Sequence, residues 1–255
     1  MVNMIDTHCH LYAKEFADDL HTVMETATKS GVQRFYMPAI DSSTTDDMLN
    51  VEEKYPQARC MIGLHPCSVN KSYEQELIHV EEWLSKRNFA AIGEIGLDFF
   101  WDKTYIDQQY TAFKKQISFA LDRKLQIVIH SRNATRETIS VLNEYKGSGL
   151  KGIFHCFGGS IEEAREIIDA GFLLGIGGVI TYKNAGLAEV VRQIELKHLV
   201  LETDAPYLAP APFRGKRNES SYLHYIAKKI AETKHISVEE VVEITTENAS
   251  TVFSL

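Results

Sequence analysis

The sequence predicts a single (β/α)8 barrel running through residues 1–255. Short apolar segments alternate with longer amphipathic ones from end to end, and there are eight of the short kind. These segments are apolar on both faces rather than alternating, as parallel strands covered on both sides must be. The length of 255 residues is that of eight strand–helix units, which typically take about 250. A doubly wound open sheet is the alternative, because rhythm alone does not show closure.

The strands are expected at Met4–Ile5, Phe35–Ile40, Cys60–Leu64, Ala90–Ile95, Gln126–Ile129, Ile153–Phe154, Phe172–Ile176 and Leu199–Leu201. Between the fourth and fifth, residues 105–124 place Ile106, Tyr110, Phe113, Ile117, Ala120 and Leu121 at steps of three and four, one stripe of a helix. Ser160-Ile-Glu-Glu163 and Ser237-Val-Glu-Glu240 have the Ser-x-x-Glu form that opens helices. Gly31, Gly147, Gly149 and Gly171 fall where helices should end. No linker, repeat or charge run divides the chain.

Composition narrows the function. Hydrophobic residues at 44% and charged residues at 24% are ordinary globular values, which exclude a disordered or collagen-like chain. No apolar run approaches the ~18 residues of a membrane helix, and no basic-then-apolar leader opens the sequence, so a cytoplasmic protein is expected. The formal charge of −8 argues against a nucleic-acid binder working by blanket electrostatics. Any phosphate chemistry must therefore use a local positive site. Cys9, Cys60, Cys67 and Cys156 form no Cys-x-x-Cys pair, and reduced, inert thiols are expected.

The polar residues that follow the apolar segments carry the chemistry. His8 and His10 end the first strand, Glu94 and Asp98 lie in the fourth, His130 ends the fifth, His155 the sixth, and Glu202 and Asp204 the eighth. Barrel enzymes build their sites from the carboxyl ends of several strands, so these groups would meet on one rim. His8 and His10, two apart on an extended strand, point to one face while Cys9 points away. Taken singly, His130 or His155 reads as a core histidine, Asp204 as a helix cap and Glu94 as a buried partner for an arginine. Four histidines and two carboxylates together read as metal ligands. Six ligands exceed what one tetrahedral ion with an open position needs and suit two ions sharing a carboxylate. A pair of such ions lowers the pKa of a bridging water and clamps both oxygens of an in-line displacement. The reaction expected is metal-assisted hydrolysis.

Arg214, Lys216 and Arg217, after Pro206, Pro210 and Pro212, form the densest positive cluster. This loop is either a solvated surface or an anion site, and its place beside Asp204 weighs the two equally. Arg132, two residues past His130, is a further phosphate candidate, with Lys183 and Asn184 weaker ones. Phe99, Phe100 and Trp101 can stack bases of a single strand or pack beneath the loop, and packing is slightly favoured.

The segments IDTHCHL at the start, GLHP at 63–66, GEIGLDFF at 93–100, IHSR at 129–132, FHCFGG at 154–159, ETDAPYL at 202–208 and RGKRNE at 214–219 together resemble the TatD family of metal-dependent deoxyribonucleases. They run in the family's order along the entire chain. The resemblance implies a barrel similar to the amidohydrolases, with Glu replacing their bridging carboxylated lysine. It implies that His8 and His10 bind one metal, that Glu94 bridges, and that His130 and His155 bind the second. Asp204 would be the last ligand and orient or deprotonate the water, with His65 near the substrate outside the metal shell. The family's typical activity is Mg-dependent trimming of single-stranded DNA from the 3′ end, and Zn or Mn are alternative ions. DNA is then the expected partner, with no membrane and a monomeric enzyme. Two departures bear on substrate preference: Ser220 stands where Pro usually follows RGKRNE, and Phe99-Phe100-Trp101 replaces tyrosines and a basic residue.

Two other classes compete with a DNA phosphodiesterase. The same barrel can hydrolyse a carboxylic ester, amide or lactone, which an aryl-ester panel would reveal. A non-catalytic metal-binding scaffold would hold metal without turning over any ester.

Overall fold

Parallel strands with no polar face must be covered by helices, and the chain alternates the two throughout. The computed structural model describes residues 3–253. In order it contains β1 (Met4–Asp6), α1 (Leu20–Lys29), β2 (Val32–Met37), α2 (Thr45–Lys54), β3 (Ala58–Cys60), α3 (Tyr73–Lys86), β4 (Ile92–Asp98), α4 (Ile106–Arg123) and β5 (Ile127–Arg132). There follow α5 (Thr135–Glu144), β6 (Gly152–Phe154), α6 (Ile161–Asp169), β7 (Phe172–Ile176), α7 (Leu187–Gln193), β8 (Leu199–Leu201), α8 (Leu223–Lys234) and α9 (Val238–Val252). No helix among the described residues is long and apolar enough to cross a membrane.

The strands run parallel in two sets, β1–β2–β3 and β4 through β8. Both seams between the sets are bridged. Ala90 N–H donates to Cys60 O at 2.9 Å and Gly93 N–H to Ile62 O at 2.9 Å, joining the end of β3 to β4. Thr7 N–H donates to Leu201 O at 3.1 Å, Asp204 N–H to His8 O at 2.9 Å and His10 N–H to Ala205 O at 2.7 Å, joining β8 to β1. The ring is therefore closed, an (β/α)8 barrel rather than an open sheet.

Each expected strand has a counterpart, and β7 and β8 match to the residue. The larger offsets are local. β2 stops at Met37 because Pro38 has no N–H to give a ladder. β3 ends at Cys60, and the apolar residues beyond it continue only as a bridge from Ile62 to Ile92. The expected stripe on α4 is buried at Phe113, Ile117 and Ala120, while Ile106, Tyr110 and Leu121 lie at its margins. Gln109 and Gln116 are buried beside them because each clamps a loop backbone. The Gln116 amide accepts from Leu64 N–H at 2.6 Å and donates to Leu64 O at 3.2 Å. Gln109 does the same to Asp98, at 2.9 and 3.1 Å. Ser160 and Glu163 exchange both bonds of a capping box at α6, whereas Ser237 caps α9 through Glu240 N–H alone.

Two hydrophobic layers result. One fills the space between strands and helices. The other lies inside the ring, where Ile5, Tyr36, Met61, Ala91, Val128, Ile153, Leu173 and Val200 supply one side chain from each strand or its flank. Ala249, Val252 and Phe253 at the end of α9 close this floor, with Phe253 stacked on Tyr36 at 3.6 Å.

Candidate metal centre

At the opposite end of the ring the strand termini carry polar groups. His8 and His10 follow β1, with Cys9 turned away so that its thiol lies 3.7 Å from Tyr36 O. Glu94 occupies an irregular step of β4, where the register with β5 shifts between Gly93 and Ile95 and leaves Glu94 without a partner. Such a bulge re-aims one side chain without breaking the strand. Gly96 accompanies it at φ +144°, where a Cβ would stand 2.0 Å from His130 O. Asp204 follows β8 at φ +59°, a left-handed conformation that is costly away from Gly and recurs at functional sites.

Glu94 is buried at the centre of these groups. Its Oε2 lies 3.2 Å from His8 Nε2 and 4.0 Å from His10 Nε2. Its Oε1 lies 3.0 Å from His130 Nδ1, 3.7 Å from His65 Nε2 and 3.8 Å from His155 Nε2. Asp204 Oδ1 faces His10, His155 and His8 Nε2 at 3.5, 3.7 and 3.8 Å. His8–His10–Asp204 and His65–Glu94–His130 are compact donor groups of the size a metal ion needs, and His8–His155–Glu202 and His155–Cys156–Asp204 overlap them.

The partners of the outward nitrogens decide which nitrogen is free. Tyr12 donates its one hydroxyl hydrogen to Pro38 O at 2.6 Å, so His10 Nδ1 must donate to Tyr12 Oη at 2.9 Å, leaving the Nε2 lone pair facing Glu94 and Asp204. His155 Nδ1 lies 3.0 Å from Glu202 Oε1, in ion-pair range though outside hydrogen-bond geometry, and its Nε2 faces inward. His130 Nε2 donates to Asp98 Oδ2 at 2.8 Å, presenting Nδ1 to the centre. His65 is reversed. Its Nδ1 accepts from Cys67 N–H at 3.0 Å, so Nε2 carries the hydrogen and is a donor rather than a ligand. Outer partners that fix the tautomer of a ligating imidazole are a regular feature of metal sites.

The charges fit a cation. Glu94, Asp98, Glu202 and Asp204 converge here, and among the described residues none has a Lys or Arg within ion-pair distance. Both ring nitrogens of His8, fully buried, lack a hydrogen-bond partner. Buried carboxylates and orphaned imidazole nitrogens are expensive unless something binds them. Burial pushes Glu94 up, but the surrounding imidazoles of His8, His65 and His155 outweigh it and hold the carboxyl well below its ordinary value. Asp204 is lowered in the same way, with burial outweighed by His10, His155 and His8. Burial lowers His65 to about 3, which keeps it neutral. The mixture of imidazole and carboxylate donors suits a divalent ion.

The sequence profile of the family described as TatD related DNase matches residues 5–254. The chain belongs to the TatD family. The uncharacterized metal-dependent hydrolase YabD of Bacillus subtilis is 41% identical over 253 residues, 99% of each chain. The uncharacterized metal-dependent hydrolase TatD of Mycobacterium tuberculosis is 30% identical over 262 residues, covering 99% of this chain and 98% of its own. The crystal structure of YjjV, a TatD homologue from Escherichia coli, superposes with a TM-score of 0.94 at 28% identity, covering 100% of this chain and 99% of that one. This TatD-family chain is a metal-dependent hydrolase.

The remaining candidates separate. Arg132 is exposed on β5, its guanidinium 3.8 Å from the Phe100 ring, with no carboxylate in ion-pair range among the described residues. Arg214 is exposed over Tyr182 at 4.6 Å, and Lys216 is exposed. Arg217 differs: its guanidinium is taken up by Asp19 at 2.7 and 2.8 Å, Glu219 at 2.9 Å and Glu15 O at 2.6 Å. It anchors the loop. Asn218, buried, donates to Thr203 O and Tyr207 O at 2.6 Å each, so the stretch before Ser220 is pinned on both sides, and Ser220 itself is buried. Lys183 and Asn184 lie in the exposed turn after β7.

Tyr12, Asp98, Glu202 and Gln109 acquire positioning roles that no motif assigned. Glu202 is accommodated because residue 175 is Gly, where a Cβ would come within 2.2 Å of its Oε2. Asp98 and Glu202 stand within GEIGLDFF and ETDAPYL, four and two residues from Glu94 and Asp204, and that spacing is the signal the sequence offers. Tyr12 and Gln109 carried none.

Proposed function

We propose that this chain is a divalent-metal-dependent deoxyribonuclease that removes nucleotides from the 3′ end of single-stranded DNA, with Mg as the working ion and Zn or Mn as alternatives. The observation that supports this reading is a buried His/carboxylate centre at the strand ends, with Arg132 on β5 and Arg214 and Lys216 in the loop after β8 exposed and, among the described residues, without a carboxylate in ion-pair range, in a chain of charge −8. In this reading His8 and His10 hold one ion, His130 and His155 a second, Glu94 is shared between them and Asp204 completes the set.

Ions bound there supply charge neutralisation at the phosphate and a water acidic enough to ionise near neutral pH. Asp204 is the least enclosed of the two central carboxylates and accepts the proton of the attacking water. His65, fixed by Cys67 N–H with its own hydrogen on Nε2, donates to a phosphate oxygen. Arg132 offers a planar fork to the phosphate from the β5 side. Arg214 and Lys216 reach from the loop after β8, near the opposite side of the ring. Arg217 holds that loop and touches no substrate. The acidic remainder confines affinity to the rim and makes it fall with added salt.

An end-labelled single-stranded oligodeoxynucleotide tests the reading, with added Mg, after metal stripping, and beside Glu94→Gln. Metal-dependent shortening from the 3′ end that vanishes in the variant is expected. A folded, metal-loaded protein that leaves the strand intact but cleaves aryl carboxylic esters would overturn it.

A further inference from the structure

The rim carries an aromatic surface that the hydrolytic centre does not account for. Among the described residues the large exposed apolar side chains are Ile78, Phe100, Trp101, Tyr207 and Leu208. All but Ile78 lie on two rim loops, those after β4 and β8. Water-exposed rings gathered around a site, instead of scattered, mark a binding surface. The three consecutive aromatics after β4 divide. Phe99 is half-buried against the core, its ring 6.1 Å from Tyr110, and there the packing expectation holds. Phe100 and Trp101 are 46% and 68% exposed, pack edge-to-face on each other with centroids 4.8 Å apart, and stand outside the hydrophobic core.

Three contacts fix these two rings relative to the centre. Asp98 Oδ1 accepts the N–H groups of Phe100 and Trp101 at 2.9 and 3.2 Å, while its Oδ2 accepts from His130 Nε2 at 2.8 Å. Gln109 clamps the Asp98 backbone from beneath. Phe99 N–H donates to Arg132 O at 2.9 Å, tying the loop to β5. One carboxylate thus holds both a central imidazole and the aromatic loop. The Arg132 guanidinium lies 3.8 Å from the Phe100 ring and 5.1 Å from that of Trp101, so a cation without a carboxylate partner sits against two π-faces.

We infer that Phe100 and Trp101, with Arg132 beside them, form a stacking platform for a nucleobase of the single strand whose adjacent phosphodiester enters the centre. The inference rests on the nuclease reading and deepens it. A π-face accepts any base, while the guanidinium meets the neighbouring phosphate, so the platform supplies grip without sequence selection. A basic surface elsewhere is then unnecessary, which reconciles nucleic-acid binding with a charge of −8.

The test compares kcat/KM of the Mg-loaded enzyme on a thymidine oligonucleotide and on a strand of the same length whose 3′-terminal residues lack bases. Stacking contributes about 1–3 kcal/mol per base, or roughly 5–150-fold. Wild-type protein should prefer the thymidine strand by a factor in that range. In Trp101→Ala and in Phe100→Ala the preference should collapse towards unity, through KM, and Trp101→Phe should restore most of it. Trp101 is one of two tryptophans, so with Trp83→Phe as background its emission should be quenched by the thymidine strand and not by the baseless one. An undiminished preference in both alanine variants, or equal losses on both strands, would overturn the platform alone. Wild-type protein that cleaves neither strand would instead remove the nuclease reading, and the platform with it.

Discussion

The two ends of the barrel interior are built from the same strands by opposite chemistry. The floor takes Ile5, Tyr36, Val128, Ile153 and Val200 from β1, β2, β5, β6 and β8 and closes them with Phe253. A few residues further along, three of those strands and β4 deliver His8, His130, His155 and Glu94 to the rim. At the floor every side chain gains from leaving water, at roughly 25 cal/mol per Å² of apolar area. At the rim, carboxylates and imidazoles are buried in a setting that favours their charged forms only in each other's company. Apolar packing is concentrated at one end and the candidate metal ligands at the other, and the strands between keep the two apart.

Substitutions can break that division. The largest effect is expected from Glu94→Gln, which removes the carboxylate facing all five imidazoles. Activity should fall by more than the ~100-fold that loss of an outer partner reaches. Bound metal, measured by elemental analysis of dialysed protein, should fall with it, while circular dichroism shows an intact fold. Phe253→Ala should do the reverse. A buried Phe truncated to Ala costs about 3–5 kcal/mol, which in a chain of this size lowers the melting temperature by roughly 6–20 °C. Metal content and kcat of the folded enzyme should stay as in the wild type. A large loss of metal in this variant would mean that the ends are coupled. The smallest effect is expected from Asp98→Asn, which leaves the His130 nitrogen facing the centre but weakens the bond that orients it. Metal affinity, read by competition with a chromophoric chelator, should drop about 10–100-fold. An unchanged affinity would show that the ring is oriented by packing alone.

The barrel was legible because its signals are local and repeated. Eight apolar segments and their spacing give the strands, and Pro38 marks one edge by itself, whereas the bulge at Glu94 depends on the neighbouring strand. The candidate ligands were legible for the same reason: His8, His10, His155 and Asp204 follow β1, β6 and β8, and Glu94 and His130 lie inside β4 and β5, each in a recognisable segment. What the sequence does not carry is which nitrogen of each ring faces inward. That depends on Tyr12, Asp98, Glu202 and the Cys67 amide, whose partners are set by packing. Arg217 makes the same point from the loop after β8. In sequence it belongs with Arg214 and Lys216, but in space its partner is Asp19, 198 residues away.

The seam between β8 and β1 has a further consequence, in the order of synthesis. Asp6 accepts from Thr203 N–H at 2.9 Å and from the Thr203 hydroxyl at 2.6 Å across 197 residues. A nascent chain that has emerged only through α7 already displays His8, His10, Glu94, His130 and His155, yet it lacks Asp204 and the strand that shuts the ring. The histidines of the first strand wait for the last. Contacts of such separation make closure a late and slow event in folding. The proposed ligand set is therefore complete only once nearly the whole chain is made, so a half-translated barrel would not be a half-active hydrolase.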